Sequence, residues 1–453
     1  MTQEQARRRA VQAAKRFGYG PSSEGLSKAF VEDPQAALLS ELRQGLQPLP
    51  GRPLGSSREL YRQKRDWERL REARAAGRPV PADLAGREVL QPEAPQHQNE
   101  LRARARAIAA AGTGINERLA WFWSNHLCVS AMKNGWVSVL SGAYEREAIR
   151  PHLGGRFEEM VLASARHPAM LTYLDNRSSI GPQSPEGRKR GRGLNENYAR
   201  ELLELHTLGV DGGYSQRDVL MLARALTGWT YDEEGVFRFA LERHEPGAKI
   251  ILGQVIAAGG ESEGEAAIRA ACRRPAAARF IATKMARHFV NDTPRPELIA
   301  HLERAFRDSD GDLSVLHEAL LTAPDSWREF GAKVLTPQEF VFTSTRALGF
   351  DPHGVDLTRW LRALGQDAWN SAAPDGYPDT RTAWLTPAGI QARIDTAYQI
   401  SGHTDVRVRD PRALCAAVLD ALATPQTVAT VRGAPTVRDG LVLLLSAPEF
   451  HRR

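Results

Sequence analysis

Only one region of this 453-residue chain has the strand-like patterning that β structure requires. Val236–Leu241 and Lys249–Val255 flank Glu242–Ala248 and read as a β-hairpin, which puts His244 on an exposed turn. Elsewhere the apolar residues recur at helical spacing. A chain so poor in strands has to bury its apolar stripes helix against helix. The fold class is therefore mainly α: a large multi-helix domain with one β-hairpin insertion and an N-terminal helical arm.

Punctuation divides the chain. Pro/Gly-rich connections at 47–56 and 77–98 set off residues 1–94 as an N-terminal helical arm with linkers. Residues 95–335 form the main helical domain, and 336–453 a C-terminal helical part packed on it. Asp33-Pro34, His167-Pro168 and Thr336-Pro337 carry proline where a helix starts. The charged helix Leu60–Ala76 reads as solvated, with opposite charges four residues apart. Asp308–Asp312 resembles a calcium loop, but Leu313 and Ala319 stand where glycine and glutamate belong. It reads instead as a turn and N-cap for the helix Leu313–Thr322.

Several function classes drop out. Cys128, Cys272 and Cys415 lie far apart without CxxC spacing, so no zinc motif or disulfide framework follows. No apolar run reaches the ~18 residues of a membrane span. The basic N-terminus lacks the apolar segment of a secretory signal, which favours the cytoplasm. Lys and Arg exceed Asp and Glu only as 60 against 54, weak grounds for an anionic partner, and no nucleic-acid motif is present.

The most polar helix runs from Gly193 to Val210, with Asn195 as cap and Gly209 as terminator. At about 100° per residue, Asn197, Glu201 and Glu204 fall within about 60° of one another, with Arg200 at their edge and His206 opposite. Such a stripe is either a buried ion-pair network or a site. Asp175, Asn197 and Arg200 are the candidate catalytic residues. Asp175 ends a helix, where a carboxylate opposes the dipole and calls for a nearby cation. Arg200 could hold a substrate carboxylate or phosphate bidentately. His126, Glu201, Glu204 and His244 are the candidate metal ligands, an oxygen-and-nitrogen set suited to iron, manganese or zinc. His126, in W-F-W-S-N-H, is also placed as a core histidine would be. The loop 176–193 carries Arg188, Lys189, Arg190 and Arg192 and could grip an acidic or phosphorylated ligand, though it is no Walker loop.

The ordered phrases W-F-W-S-N-H-L, H-P-A-M-L-T-Y-L-D-N, N-E-N-Y-A-R-E-L-L-E-L-H-T-L-G-V-D-G-G-Y, A-R-A-L-T-G-W, H-E-P-G-A-K, P-D-G-Y-P-D-T and L-L-S-A-P-E-F resemble those of the bacterial "domain of unknown function 1800" family. The resemblance implies that His126, Asp175, Asn195, Asn197, Arg200, Glu201, Glu204 and His244 are characteristic polar positions, without naming a chemistry. It also implies export, and a companion of the "domain of unknown function 1501" family, which resembles sulfatases and phosphatases.

Two readings follow. One is a metal-dependent enzyme, hydrolase or oxidoreductase, with a polar site in a helical bundle. The chain lacks Glu-x-x-His and His-Glu-x-x-His, so the di-iron pattern is not met. The other is a binding or assembly protein in which the arm and basic loop engage a partner and the polar helix is an ion-pair network. The site reading requires Asn197, Glu201 and Glu204 to face inward together, within reach of His126 or His244.

Overall fold

The computed structural model describes residues 1–89, 91–191, 193–404 and 410–453. Helices dominate throughout, as the periodicity requires. The first, Gln3–Phe17, opens with a reciprocal capping box between Thr2 and Gln5. It buries Ala10, Ala13, Ala14 and Phe17 in the main core, so the N-terminal helix is built into the fold. Arg16 follows it inward and donates to the carbonyls of Ser326 (2.8 Å) and Arg328 (2.6 Å).

Two apolar cores organise the chain. The larger gathers residues from the N-terminal helices to Ala323. The smaller unites Leu335–Phe450 with Tyr19, Leu101, Ala105 and Ile108. The helix Glu93–Ala110 supplies the last three of these, while its neighbour Gly135–Tyr144 belongs to the larger core. The charged helix, Ser57–Ala75, is not fully solvated. Its Leu60, Tyr61, Leu70 and Ala73 form a buried stripe, and the Tyr61 ring lies 4.6 Å from that of Trp136.

A buried ionic centre ties the two cores together. Glu339, on the first turn of Pro337–Leu348, receives Arg118 Nη2 at 2.5 Å and Arg453 Nε at 3.0 Å. The Thr336 amide donates to the same carboxylate at 2.8 Å. Burial works to raise this carboxyl, but Arg118, Arg453 and His288 outweigh it and hold the group at about 2. His288 in turn meets Asp379 at 2.6 Å, and Lys333 meets Asp292 at 2.7 Å.

The β insertion consists of two small hairpins, and the pairing differs from the expected one. Phe237–Phe239 pairs back onto Trp229–Tyr231, and Lys249–Ile251 pairs with Gln254–Ile256. Each strand found a nearer partner across a tight turn, at Asp232–Gly235 and at Leu252-Gly253. The stretch 176–193 is likewise more ordered than a long loop. Asn176–Ser178 makes a 3₁₀ turn, and Ser184 caps the short helix Pro185–Arg190. Arg192 lies outside the described residues.

Candidate functional site

The polar helix changes pitch in its middle. Asn197–Glu201 is α-helical, whereas Leu202–Thr207 is a π-turn. The Leu208 amide reaches back to the Leu203 carbonyl at 2.8 Å, and Thr207 Oγ1 donates to the Leu202 carbonyl at 2.7 Å. π-Turns are rare and are frequent at functional sites; a second one here, Glu145–Ile149, lies in the core. Asn195 Oδ1 accepts the Asn197 amide at 2.9 Å, the expected capping contact.

The π-turn sorts the polar stripe into different environments. Glu201 and Glu204 are half-buried neighbours, and Tyr214 donates to Glu204 Oε2 at 3.3 Å. Asn197 is exposed, its amide 3.4 Å from the Leu174 carbonyl. Arg200 turns to the surface and donates to Glu196 (3.2 Å) and Gln216 (3.0 Å). Asp175 takes a left-handed backbone, φ 60°, and Lys133 supplies its cation at 2.6 Å. His206 is buried beside Tyr198, with Nε2 unpartnered among the described residues.

The two histidines lie apart. The His126 ring is buried among Phe122, Trp123, Phe157 and Phe280. Its Nε2 donates to the His206 carbonyl at 3.0 Å, which leaves Nδ1 as a buried, unpartnered acceptor. Burial, then the charge of Lys284, keeps this ring neutral well below the usual imidazole range. His244 is not on an exposed turn. It is buried in a separate network, bridging the Thr227 carbonyl (2.9 Å) and Glu263 (3.1 Å), with Lys249 paired to the same Glu263. Those partners, rather than solvent, satisfy the ring. Among the described residues no three His, Cys, Asp or Glu side chains are arranged to hold a metal ion. The expected ligands His126, Glu201, Glu204 and His244 thus include a near pair, Glu201 and Glu204, that His244 does not join.

What approaches Glu201 instead is the turn Pro374–Asp379. Asn125 clamps it with both ends of its amide: Nδ2 donates to the Tyr377 carbonyl (2.9 Å) and Oδ1 accepts the Tyr377 amide (2.8 Å). Gly376 allows this approach. Its φ is +82°, and a Cβ there would sit 2.4 Å from the Asn125 carbonyl oxygen. Asp379 anchors the far end on His288. The exposed Asp375 is thereby held near Glu201, Tyr173, Cys128 and Lys284, all of which feel its charge.

Electrostatics make this group distinctive. Burial, then Glu204, raises the Glu201 carboxyl above its usual range; Asp375 adds to the effect and Arg200 opposes it. Burial lowers the Lys284 ammonium against the pull of Asp379 and Asp375. Burial pushes the Cys128 thiol up to about 12. Lys284 is half-buried on the helix Pro275–Phe289, over the Phe280 ring at 5.6 Å. No described residue offers it a hydrogen bond or an ion pair. Nothing in the sequence singles out Lys284 from the other positive charges of its helix. The P-D-G-Y-P-D cluster is the one sequence signal at Asp375, and it marks a rigid turn.

No curated protein and no solved structure matches the chain. A family model described as "Protein of unknown function (DUF1800)" does match, over residues 12–452, and the chain belongs to that family.

Proposed function

We propose that the chain is an enzyme that performs acid–base chemistry where the π-turn meets the Pro374–Asp379 turn. One observation carries this reading. Two titratable groups of opposite kind, Glu201 and Lys284, share the neighbour Asp375 and are pushed in opposite directions. A raised carboxyl and a lowered ammonium both favour the neutral form of the group, the form that donates or accepts a proton. The π-turn beneath Glu201 agrees with this reading, since such turns are frequent at functional sites. Glu201 is the general acid and Lys284 the polar group that meets the substrate. Asp375 and Glu204 set the field around them.

The metal-dependent version of this enzyme receives less support, because His244 is spent on Glu263 and no three candidate ligands converge among the described residues. The assembly reading loses its free arm, since the N-terminal helix is packed into the core.

Isotope-edited infrared titration tests the proposal. The carboxyl band that disappears in Glu201→Gln should titrate above the ordinary glutamate value of about 4.3. It should move down when Asp375→Asn removes the neighbouring charge. A Glu201 band titrating at the ordinary value in folded protein would remove the basis for the acid role.

A further inference from the structure

Lys284 differs from the other lysines of the chain. Buried Lys15 donates to the carbonyls of Glu449 and Phe450, Lys249 pairs with Glu263, and Lys333 with Asp292. Lys64 pairs with Glu68, and Lys133 with Asp175. Lys28 and Lys189 stand in solvent. Lys284 alone is half-buried while no described residue accepts a hydrogen bond from it. Its ammonium nitrogen lies over the Phe280 ring, 5.6 Å from the centroid, and the rings of His126 and His206, each with one nitrogen unpartnered among the described residues, feel its charge. A structural lysine in such a place would have a carboxylate or carbonyl in contact, because an unpaired buried ammonium is costly. An amine that is accessible, unpaired and partly withdrawn from water is instead arranged as a nucleophile.

We infer that Lys284 forms a covalent imine with the carbonyl group of a small aldehyde or ketone substrate. This rests on the acid–base site proposed above. The neutral Nζ lone pair forms a bond to the carbonyl carbon, and the C=O π pair passes to oxygen. A proton moves from nitrogen to that oxygen, giving a carbinolamine. The Glu201 carboxyl, the other neighbour of Asp375, donates a second proton to the hydroxyl. The C–O bond breaks, water leaves with the bonding pair, and the nitrogen lone pair completes C=N⁺. Nothing is oxidised or reduced, and Glu201 ends as a carboxylate.

The test needs no knowledge of the natural substrate. The full chain is incubated at pH 7 with propanal and sodium cyanoborohydride, which reduces an imine to a stable amine. Adducts are then mapped by peptide mass spectrometry. A lowered amine has a larger free-base fraction at neutral pH than an ordinary lysine. The expected result is an adduct at Lys284 forming measurably faster than at Lys28 or Lys189. It should be absent in Lys284→Arg, with the other two sites unchanged. Labelling of Lys284 no faster than Lys28 and Lys189 would overturn the proposal. Glu201→Gln separates it from the reading beneath. A slower adduct at Lys284 supports both, whereas an unchanged rate leaves the imine standing and removes Glu201 as its acid.

Discussion

Glu339 gives the sharpest stability prediction. Its carboxylate is the only anion in contact with both Arg118 and Arg453 among the described residues, and all three side chains are essentially buried. Glu339→Gln keeps the shape but leaves two guanidinium groups without their counter-charge. Breaking a buried pair in this way costs about 3–5 kcal/mol. The pKa gives an independent figure: the change from 4.5 to about 2 corresponds to roughly 3 kcal/mol favouring the ionised form. Either value is a large part of the ~5–15 kcal/mol by which native proteins are stable. Because the folded pKa lies below the unfolded one, the unfolded chain binds more protons in acid. The contribution is therefore complete above pH 4.5 and is lost as pH falls toward 2. Urea unfolding at pH 7 and at pH 3 measures both effects. The wild type should lose stability at the lower pH, and the gap between it and Glu339→Gln should narrow there. Adding Arg118→Met to Glu339→Gln should cost less than Arg118→Met alone, by a coupling of about 0.5–3 kcal/mol. A Glu339→Gln penalty under about 1 kcal/mol at pH 7, or strict additivity of the two changes, would refute the account of a buried charge centre.

Two further perturbations probe the parts around the site. Gly376→Ala should destabilise by more than about 1 kcal/mol, through the left-handed φ and the clash with Asn125. It should also alter propanal labelling at Lys284, because Asp375 rides on the same turn; thermal unfolding and peptide mapping read the two effects. Glu263→Gln should cost about 3–5 kcal/mol by stranding buried Lys249 beside His244. Hydrogen exchange should show that loss around the Lys249–Ile256 hairpin, with Lys284 labelling unchanged.

The helices were legible because helical periodicity and caps are local. Thr336-Pro337 and Asp312 start helices as expected, and His167 Nδ1 accepts the Ala169 amide at 3.1 Å as the cap of its own helix. What escaped were features set by non-local partners. Whether Phe237–Phe239 pairs forward or back depends on which strand lies nearer across a turn. Whether Leu60–Ala76 is solvated depends on Trp136. The site suffered most from the assumption of uniform pitch. A wheel drawn at a constant angle holds only to Glu201, since the π-turn slows the rotation from Leu202 onward. It still separated His206 from the glutamates, but it could not show that Asn197 and Arg200 turn to the surface while Glu201 and Glu204 stay half-buried. Lys284 and Asp375 lie about 80 and 175 positions from Glu201 in the chain and carry no spacing relation to it.

The distinction between a structural network and a site can be drawn from what each leaves unpartnered. Around Glu339 and Glu263 the carboxylates are met by cations and backbone amides, and their pKa directions are those of groups the fold prefers ionised. Around Glu201 the sign is reversed: the fold disfavours its ionised form, so the folded state holds more protons than the unfolded chain. Stability is then full below the unfolded pKa and declines as pH rises through the folded one. At neutral pH Glu201 is a burden on the fold that an amide would lift. Glu201→Gln should therefore leave the urea midpoint at pH 7 unchanged or raise it, whereas Glu339→Gln and Glu263→Gln lower it. Selection for stability alone would not hold a carboxylate at Glu201, and proteins tolerate such residues where activity needs them. A clear loss of stability in Glu201→Gln would return the polar helix to the class of ion-pair networks and take the acid–base site with it.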